Sequence, residues 1–279
     1  MYSTGHLIWI GISAILIVGG LLAIRIRKPS LEQVLKACLI VGVVSEVTKV
    51  FSVTSILPVV TPEIVTTEAG SALTYVPIGK YSPYMKMEHL PLELCSLMIV
   101  FLIAALLLKN GIWRSRLLAL MYITGTIGGL MGILLSYIAT EYTSPAAFLL
   151  APRAWQYFLY HSMVVTLGLY LGFEYNGGVS LKFWKSTMIG LLLLDMPTFY
   201  LNSILAQAAY LNGEPVGILY RTNFFSSYVN PLGLVLTEKW QWLAYLGIRL
   251  ALATALITLM LWLPSVIQHR KTEAAESRP

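Results

Sequence analysis

The chain has 279 residues and a formal net charge of +6, with 57% of residues hydrophobic and only 11% charged. Its mean hydropathy of +0.74 excludes an ordinary soluble domain and points to a polytopic membrane protein. The basic excess falls in short clusters between apolar runs and forms no stripe, so it excludes nucleic acid as a partner and serves instead as a topology signal.

Seven apolar stretches are long enough to cross a hydrocarbon core of ~30 Å at ~1.5 Å per helical residue. They cover about 7–24, 34–52, 90–108, 117–138, 155–173, 183–205 and 241–263. The predicted class is all-α, a single seven-helix transmembrane domain over 1–279 with no internal repeat and no separate soluble domain. The first span has no basic segment ahead of it and no small-residue cleavage site, so it is expected to be retained. Before the second, Pro29 and then Ser30-Leu31-Glu32-Gln33 predict a capping box.

The third span opens with Glu88–Val100, EHLPLELCSLMIV. Pro91 suits the first turn of a helix. Helical phase sets Glu88, Leu92 and Cys95 on one face, and His89 and Glu93 on another, where they can pair at the rim. In the sixth span, Asp195-Met196-Pro197 predicts a kink with the acid facing inward. Loops of about 53–87 and 206–239 are long and contain several prolines, which suits covers over an outward-facing cavity. Within the second, GILYRTNFFSSYVNPLG (217–233) offers Arg221 and Asn223 as donors to a phosphate or an oxyanion, and Phe224 and Phe225 as anchors in the lipid interface. A plain aromatic-anchored loop is an equal reading. A tail follows from about 264 to 279.

Arg25, Arg27, Lys28 and Lys36, then Lys109, Arg114 and Arg116, then Lys182 and Lys185, and Arg270, Lys271 and Arg278 in the tail fall on one side of this frame. Lys80, Lys86, Arg153, Arg221 and Lys239 are left for the other. Positive loops stay cytoplasmic, which orients the N-terminus out and the tail in. The short loops suit a bacterial cytoplasmic (inner) membrane.

With that orientation Cys95 and His161 share a depth, ~8–10 Å below the outer boundary at ~1.5 Å per residue. Glu46 and Lys49 lie in the outer half of the second span, Asn202 near the mouth of the sixth, Asp195 near mid-membrane, and Arg249 approaches from the seventh. A charge at this depth costs ~2.5–3.5 kcal/mol on insertion scales, so pairing is expected: Glu46 with Lys49, and Asp195 with Arg249. Such pairs can simply hold helices in register. Cys38 and Cys95 point toward opposite faces, too far apart for a disulfide. Cys38 is a small buried hydrophobe among Leu, Ala and Val. Cys95 or His161 alone also fits a core role. Together they gain a second meaning, because a thiol with an unperturbed pKa of ~8.5 needs a base to become a nucleophile near neutral pH. A metal site of Cys95, His89 and His161 is disfavoured because helical phase turns His89 away. No metal and no cofactor is expected.

HLPLELC at 89–95, YFLYHS at 157–162 and RTNFF at 221–225 resemble the YwaF-type bacterial integral membrane proteins, relatives of the transmembrane protein 164 acyltransferases. One position departs from the bacterial pattern Leu-Pro-Leu-His-Leu-Cys: Glu93 stands where that histidine would be. The resemblance implies a cysteine-centred acyltransferase that moves a fatty acyl chain between phospholipid and lysophospholipid, with Cys95 as nucleophile and His161 as its partner. Lys49, Arg221 and Asn223 are the oxyanion candidates, and His89, Glu93 and Arg249 are further candidates for contact with substrate. Other readings stay open. A lipid-ester hydrolase would use the same pair, a transporter or channel would use the buried charges, and a seven-helix sensor is a third. A retinal protein is disfavoured, because the seventh span offers Arg249 and no lysine.

Overall fold

The computed structural model describes residues 3–67, 70–90, 94–136, 138, 142, 144–175, 179–211, 214–220 and 236–276. Helices stand at each of the seven predicted positions. α1 (Thr4–Arg27) stops at Lys28, which still donates its N–H to the Ile24 carbonyl and turns the chain away with a left-handed φ of 46°. Ser30 then caps α2 (Leu31–Val53). Its hydroxyl accepts from the Gln33 N–H and the Gln33 side chain accepts from the Ser30 N–H, which is the predicted capping box.

After α3 (Leu94–Leu107), α4 (Ile112–Ile123) continues through a π turn at Thr124–Gly128 into α5 (Gly129–Leu134). A short α6 (Pro145–Leu150) precedes α7 (Pro152–Leu169), which ends in a second π turn at Tyr170–Glu174. α8 (Trp184–Ile204) runs on through Pro197 and α9 (Lys239–Glu276) through Pro264.

Three expectations change. The class is helical but carries two antiparallel ribbons: β1 (Ser55–Thr67) with β2 (Gly70–Tyr84), and β3 (Gln207–Leu211) with β4 (Glu214–Tyr220). The stretches expected as loops at 53–87 and 206–239 are therefore partly strand. Runs such as Val59-Val60-Thr61 and Ile64-Val65-Thr66-Thr67 favour extended backbone. Pro58, Pro62, Pro77 and Pro83 are tolerated because both strands of such a ribbon are edges. Second, the helix of the seventh span, expected to end near 263, continues to Glu276. Third, His89 ends a separate 3₁₀ turn, Met87–His89, ahead of α3, so the uninterrupted helical phase that turned His89 away from Cys95 does not apply. Pro91, Leu92 and Glu93 lie outside the described residues.

Thr4–Arg27, Ile112–Leu134, Leu181–Ile204 and Lys239–Ile267 are long and apolar enough to cross a membrane, and Cys95–Leu107 is a shorter apolar helix. The chain is an integral membrane protein. α2 and α7 are also long, but α2 carries Glu32, Lys36, Glu46 and Lys49, and α7 carries Arg153, Gln156 and His161. Their polar composition, not their length, sets them apart.

α7 is central and packs against α1 through α6. On one side Leu35, Met98, Leu102, Tyr122, Val164 and Leu171 form a buried core. On the other, Trp9 of α1 stacks on Phe158, with ring centroids 5.0 Å apart, beside Phe148. The crossing of α7 with the α4–α5 run is close because Gly125, Gly129 and Gly132 lie against it. A Cβ at Gly125 would stand 3.1 Å from the Val164 carbonyl oxygen, and one at Gly129 would stand 3.1 Å from that of His161. Small residues let two helix backbones approach to this distance.

Candidate functional site

The polar residues of α2 and α7 meet in an antiparallel interface with a readable register. A Cβ at Gly42 would lie 3.7 Å from the Tyr160 ring. Further along, Gln156 Nε2 donates to Ser45 Oγ at 2.6 Å. One turn beyond Ser45 on α2 comes Lys49, and one turn back from Gln156 on α7 comes Arg153, so these two cations stand at the same level. Lys49 is ion-paired with Glu46 at 2.6 Å, as expected. Arg153 donates to Gln156 Oε1 and lies over the Tyr157 ring, 5.8 Å from its centroid. Both are buried, at 7% and 9% exposure.

Deeper along α7, Tyr160 Oη donates to the carbonyl oxygen of Cys95 at 2.5 Å. This bond fastens the start of α3 to α7. Cys95 is half-buried; neither it nor Cys38 is in a disulfide, and both border the same apolar core. His161 is buried on the next position of α7. Its Nδ1 lies 2.7 Å from the Tyr157 carbonyl oxygen. A carbonyl can only accept, so Nδ1 carries the proton and Nε2 is the basic nitrogen of the neutral ring.

The imidazole packs on the Tyr157 ring at 4.1 Å and meets the Tyr160 ring edge-on at 5.7 Å. It sits over Gly132, where a Cβ would stand 2.5 Å from Nε2. The Tyr157 hydroxyl donates to the Gly132 carbonyl at 3.0 Å. Tyr160 is thus shared: its hydroxyl reaches the Cys95 backbone and its ring touches His161.

The remaining polar residues fall elsewhere. Arg249 of α9 donates to Asp195 of α8, the second expected pair, with Asn202 fully buried further along α8. α8 packs chiefly on α4 and α9, so the charges expected at one site divide between two interfaces. His89 is half-buried in its 3₁₀ turn. Glu93, Arg221, Asn223, Phe224 and Phe225 lie outside the described residues. Among the described residues, no three His, Cys, Asp or Glu side chains converge as metal ligands.

Ser45, Arg153, Gln156 and Tyr160 were not expected as site residues. Arg153, Gln156 and Tyr160 are spaced i, i+3, i+7, one face of a helix, and that spacing was available to find them. A span that starts at 155 leaves Arg153 in a loop, whereas α7 begins three residues earlier, at Pro152.

The profile of the TMEM164 family matches residues 1–263. No curated protein and no solved structure matches the chain.

Proposed function

The chain belongs to the TMEM164 family, and on that premise we propose that it is a membrane-embedded acyltransferase that carries a fatty acyl group from phospholipid to lysophospholipid as a thioester on Cys95. The observation that carries this reading is the Tyr160 link, which joins the Cys95 backbone to the residue beside His161. Two further features favour it. Nε2 of His161 is the basic nitrogen, and Cys95 stands in the first turn of α3, where the helix dipole favours a thiolate.

In this reading His161 Nε2 takes the Cys95 thiol proton and Sγ attacks the fatty-ester carbonyl carbon. The C–S bond forms, the ester C–O bond breaks, and the imidazolium returns its proton to the departing lysolipid oxygen. A second lysolipid hydroxyl then gives its proton to His161 and attacks the thioester, which regenerates the thiol without CoA or ATP. Water in place of the lysolipid would make the same pair a hydrolase, and exclusion of water decides between them. The seven helices are proposed to form one domain that crosses a bacterial cytoplasmic membrane with the N-terminus out. The transporter and sensor readings draw less support, because Glu46–Lys49 closes within α2 and Asp195–Arg249 closes between α8 and α9, without a shared path.

The test is intact mass spectrometry of wild type and Cys95→Ser after incubation with a phospholipid of defined acyl chain. The expected result is a wild-type adduct of that acyl mass, removed by neutral hydroxylamine and absent from the variant. No adduct under single-turnover conditions would return Cys95 to the apolar core.

A further inference from the structure

We propose that Lys49 and Arg153 form a seat for a phosphate group, set at the outer end of the α2–α7 interface above Cys95. The inference deepens the acyl-transfer reading and rests on it for the fate of the bound lipid. The seat itself is argued from charge and register alone.

The register pairs Gly42 with Tyr160 and Ser45 with Gln156, and its continuation brings Lys49 opposite Arg153. Both are buried. Glu46 neutralises Lys49. Glu46, Glu32 and Asp195 pair with Lys49, Arg114 and Arg249, and no carboxylate among the described residues pairs with Arg153. Its guanidinium has five N–H donors, of which Gln156 Oε1 engages only part. No guanidinium nitrogen of Arg153 is among the fully buried polar atoms that lack a partner, so the donors that Gln156 leaves over are open to an anion from outside. Ala151 gives the start of α7 no side-chain cap, and the positive end of the helix dipole adds to the same field.

Depth selects the anion. Arg153 follows directly on Pro152 at the start of α7, and Lys49 is four residues from the end of α2 at Val53. Lys49 therefore stands about one turn inside the end of α2 and Arg153 in the first turn of α7, the level at which a bilayer presents its phosphates. Guanidinium forks match phosphate oxygens in two parallel hydrogen bonds, and an ammonium adds a point charge. Tyr160 lies seven residues further along α7 than Arg153, about 10 Å deeper at ~1.5 Å per residue. A lipid held by its phosphate at the seat extends its ester and chains toward Cys95.

The experiment is native mass spectrometry of the full chain in detergent, offered dioleoyl phosphatidylcholine or dioleoylglycerol, which has the same chains and no phosphate. Wild type is expected to retain the phospholipid at least about tenfold better than the diacylglycerol, and Arg153→Gln and Lys49→Gln each to lose most of that preference. Arg153→Lys, which keeps a charge but not the fork, is expected to fall between. Equal retention of the two lipids by wild type would overturn the seat, whether or not any variant folds. Millimolar inorganic phosphate separates the sources. A phospholipid preference that survives it assigns the seat to the lipid head group. Saturable stabilisation by inorganic phosphate, lost in Arg153→Gln and seen without a lipid preference, assigns it to free phosphate.

The acyl-transfer reading is scored separately by the hydroxylamine-sensitive adduct. An adduct formed equally well from both lipids keeps that reading and sinks the seat. Arg153-dependent phospholipid retention in a protein that forms no adduct does the reverse.

Discussion

The hydroxyl of Tyr160 donates to the backbone carbonyl of Cys95 at 2.5 Å, while the ring of the same tyrosine meets His161 edge-on. The start of α3 is therefore tied to α7 through the residue next to His161. Tyr160→Phe keeps the ring and removes only the bond. A loss of about 0.5–1.5 kcal/mol in stability is expected, with Cys95 acylation slowed about 3–10-fold. Acylation at the wild-type rate in a variant that is destabilised to this extent would show that the link serves folding alone.

Gly132 is where the imidazole rests. In Gly132→Ala the new methyl group overlaps His161, so the ring must shift or the α5–α7 crossing must widen, at about 1–3 kcal/mol. Acylation of Cys95 is expected to fall with it. Gly247→Ala is the control, because a Cβ there meets nothing within 4 Å. Thermal melts and acylation rates of the two variants side by side make the comparison. Equal behaviour would mean that His161 has room to move without consequence.

Asp195 and Arg249 hold α8 to α9, and each side chain is about a quarter exposed, at 24% and 27%. Arg249→Met alone is expected to lose about 1–3 kcal/mol by leaving Asp195 unanswered. Adding Asp195→Asn is expected to recover part of that loss, which a double-mutant cycle measures. Cys95 acylation should be unchanged throughout. If acylation instead collapses while the fold is kept, the two interfaces are coupled.

Glu32, in the first turn of α2, accepts from the Arg114 guanidinium at 2.7 Å. That hydrogen bond and the Arg114 charge hold its carboxyl below the usual 4.5. A carboxylate whose pKa is lower in the folded state stabilises above its unfolded value, and the benefit disappears as pH falls through the folded one. Wild type should therefore melt above Glu32→Gln at neutral pH, and the gap should close only at pH below about 4.5. Paired melting curves across pH 3–7 check it, and a gap that is constant over that range would contradict the assignment. The carboxyl is largely exposed, so the gap should be small and should shrink in high salt.

The frame of the molecule was legible because apolar runs of membrane length have few alternatives. The capping box at Ser30 and Gln33 and the pairs Glu46–Lys49 and Asp195–Arg249 are local or strongly driven, and spacing with charge sufficed to foresee them. The ribbon β1–β2 was obscured by its prolines, whose usual meaning changes when every strand is an edge. Helical phase carried back to Glu88 does not hold for His89, which belongs to the separate turn Met87–His89. Tyr160 and Gln156 act through their partners on α2 and α3, and a contact between helices depends on which faces meet. Nothing within a single span states that. Arg114 looked like a loop charge, yet it is buried against Glu32, since a basic residue near a membrane boundary can serve topology and packing together.

The π turn at Thr124–Gly128 inserts one residue into the repeat of the α4–α5 run. Every residue after it is rotated by about 100° from where an uninterrupted helix would carry it. Gly129 and Gly132 owe their place beneath α7 to that rotation. Deleting one residue between 124 and 128 would leave the span able to cross a bilayer while swinging the glycines aside and bringing bulkier neighbours under His161. The fit of the imidazole is therefore encoded in a residue count some distance away, and an insertion or deletion there acts as a change of rotational phase rather than of composition.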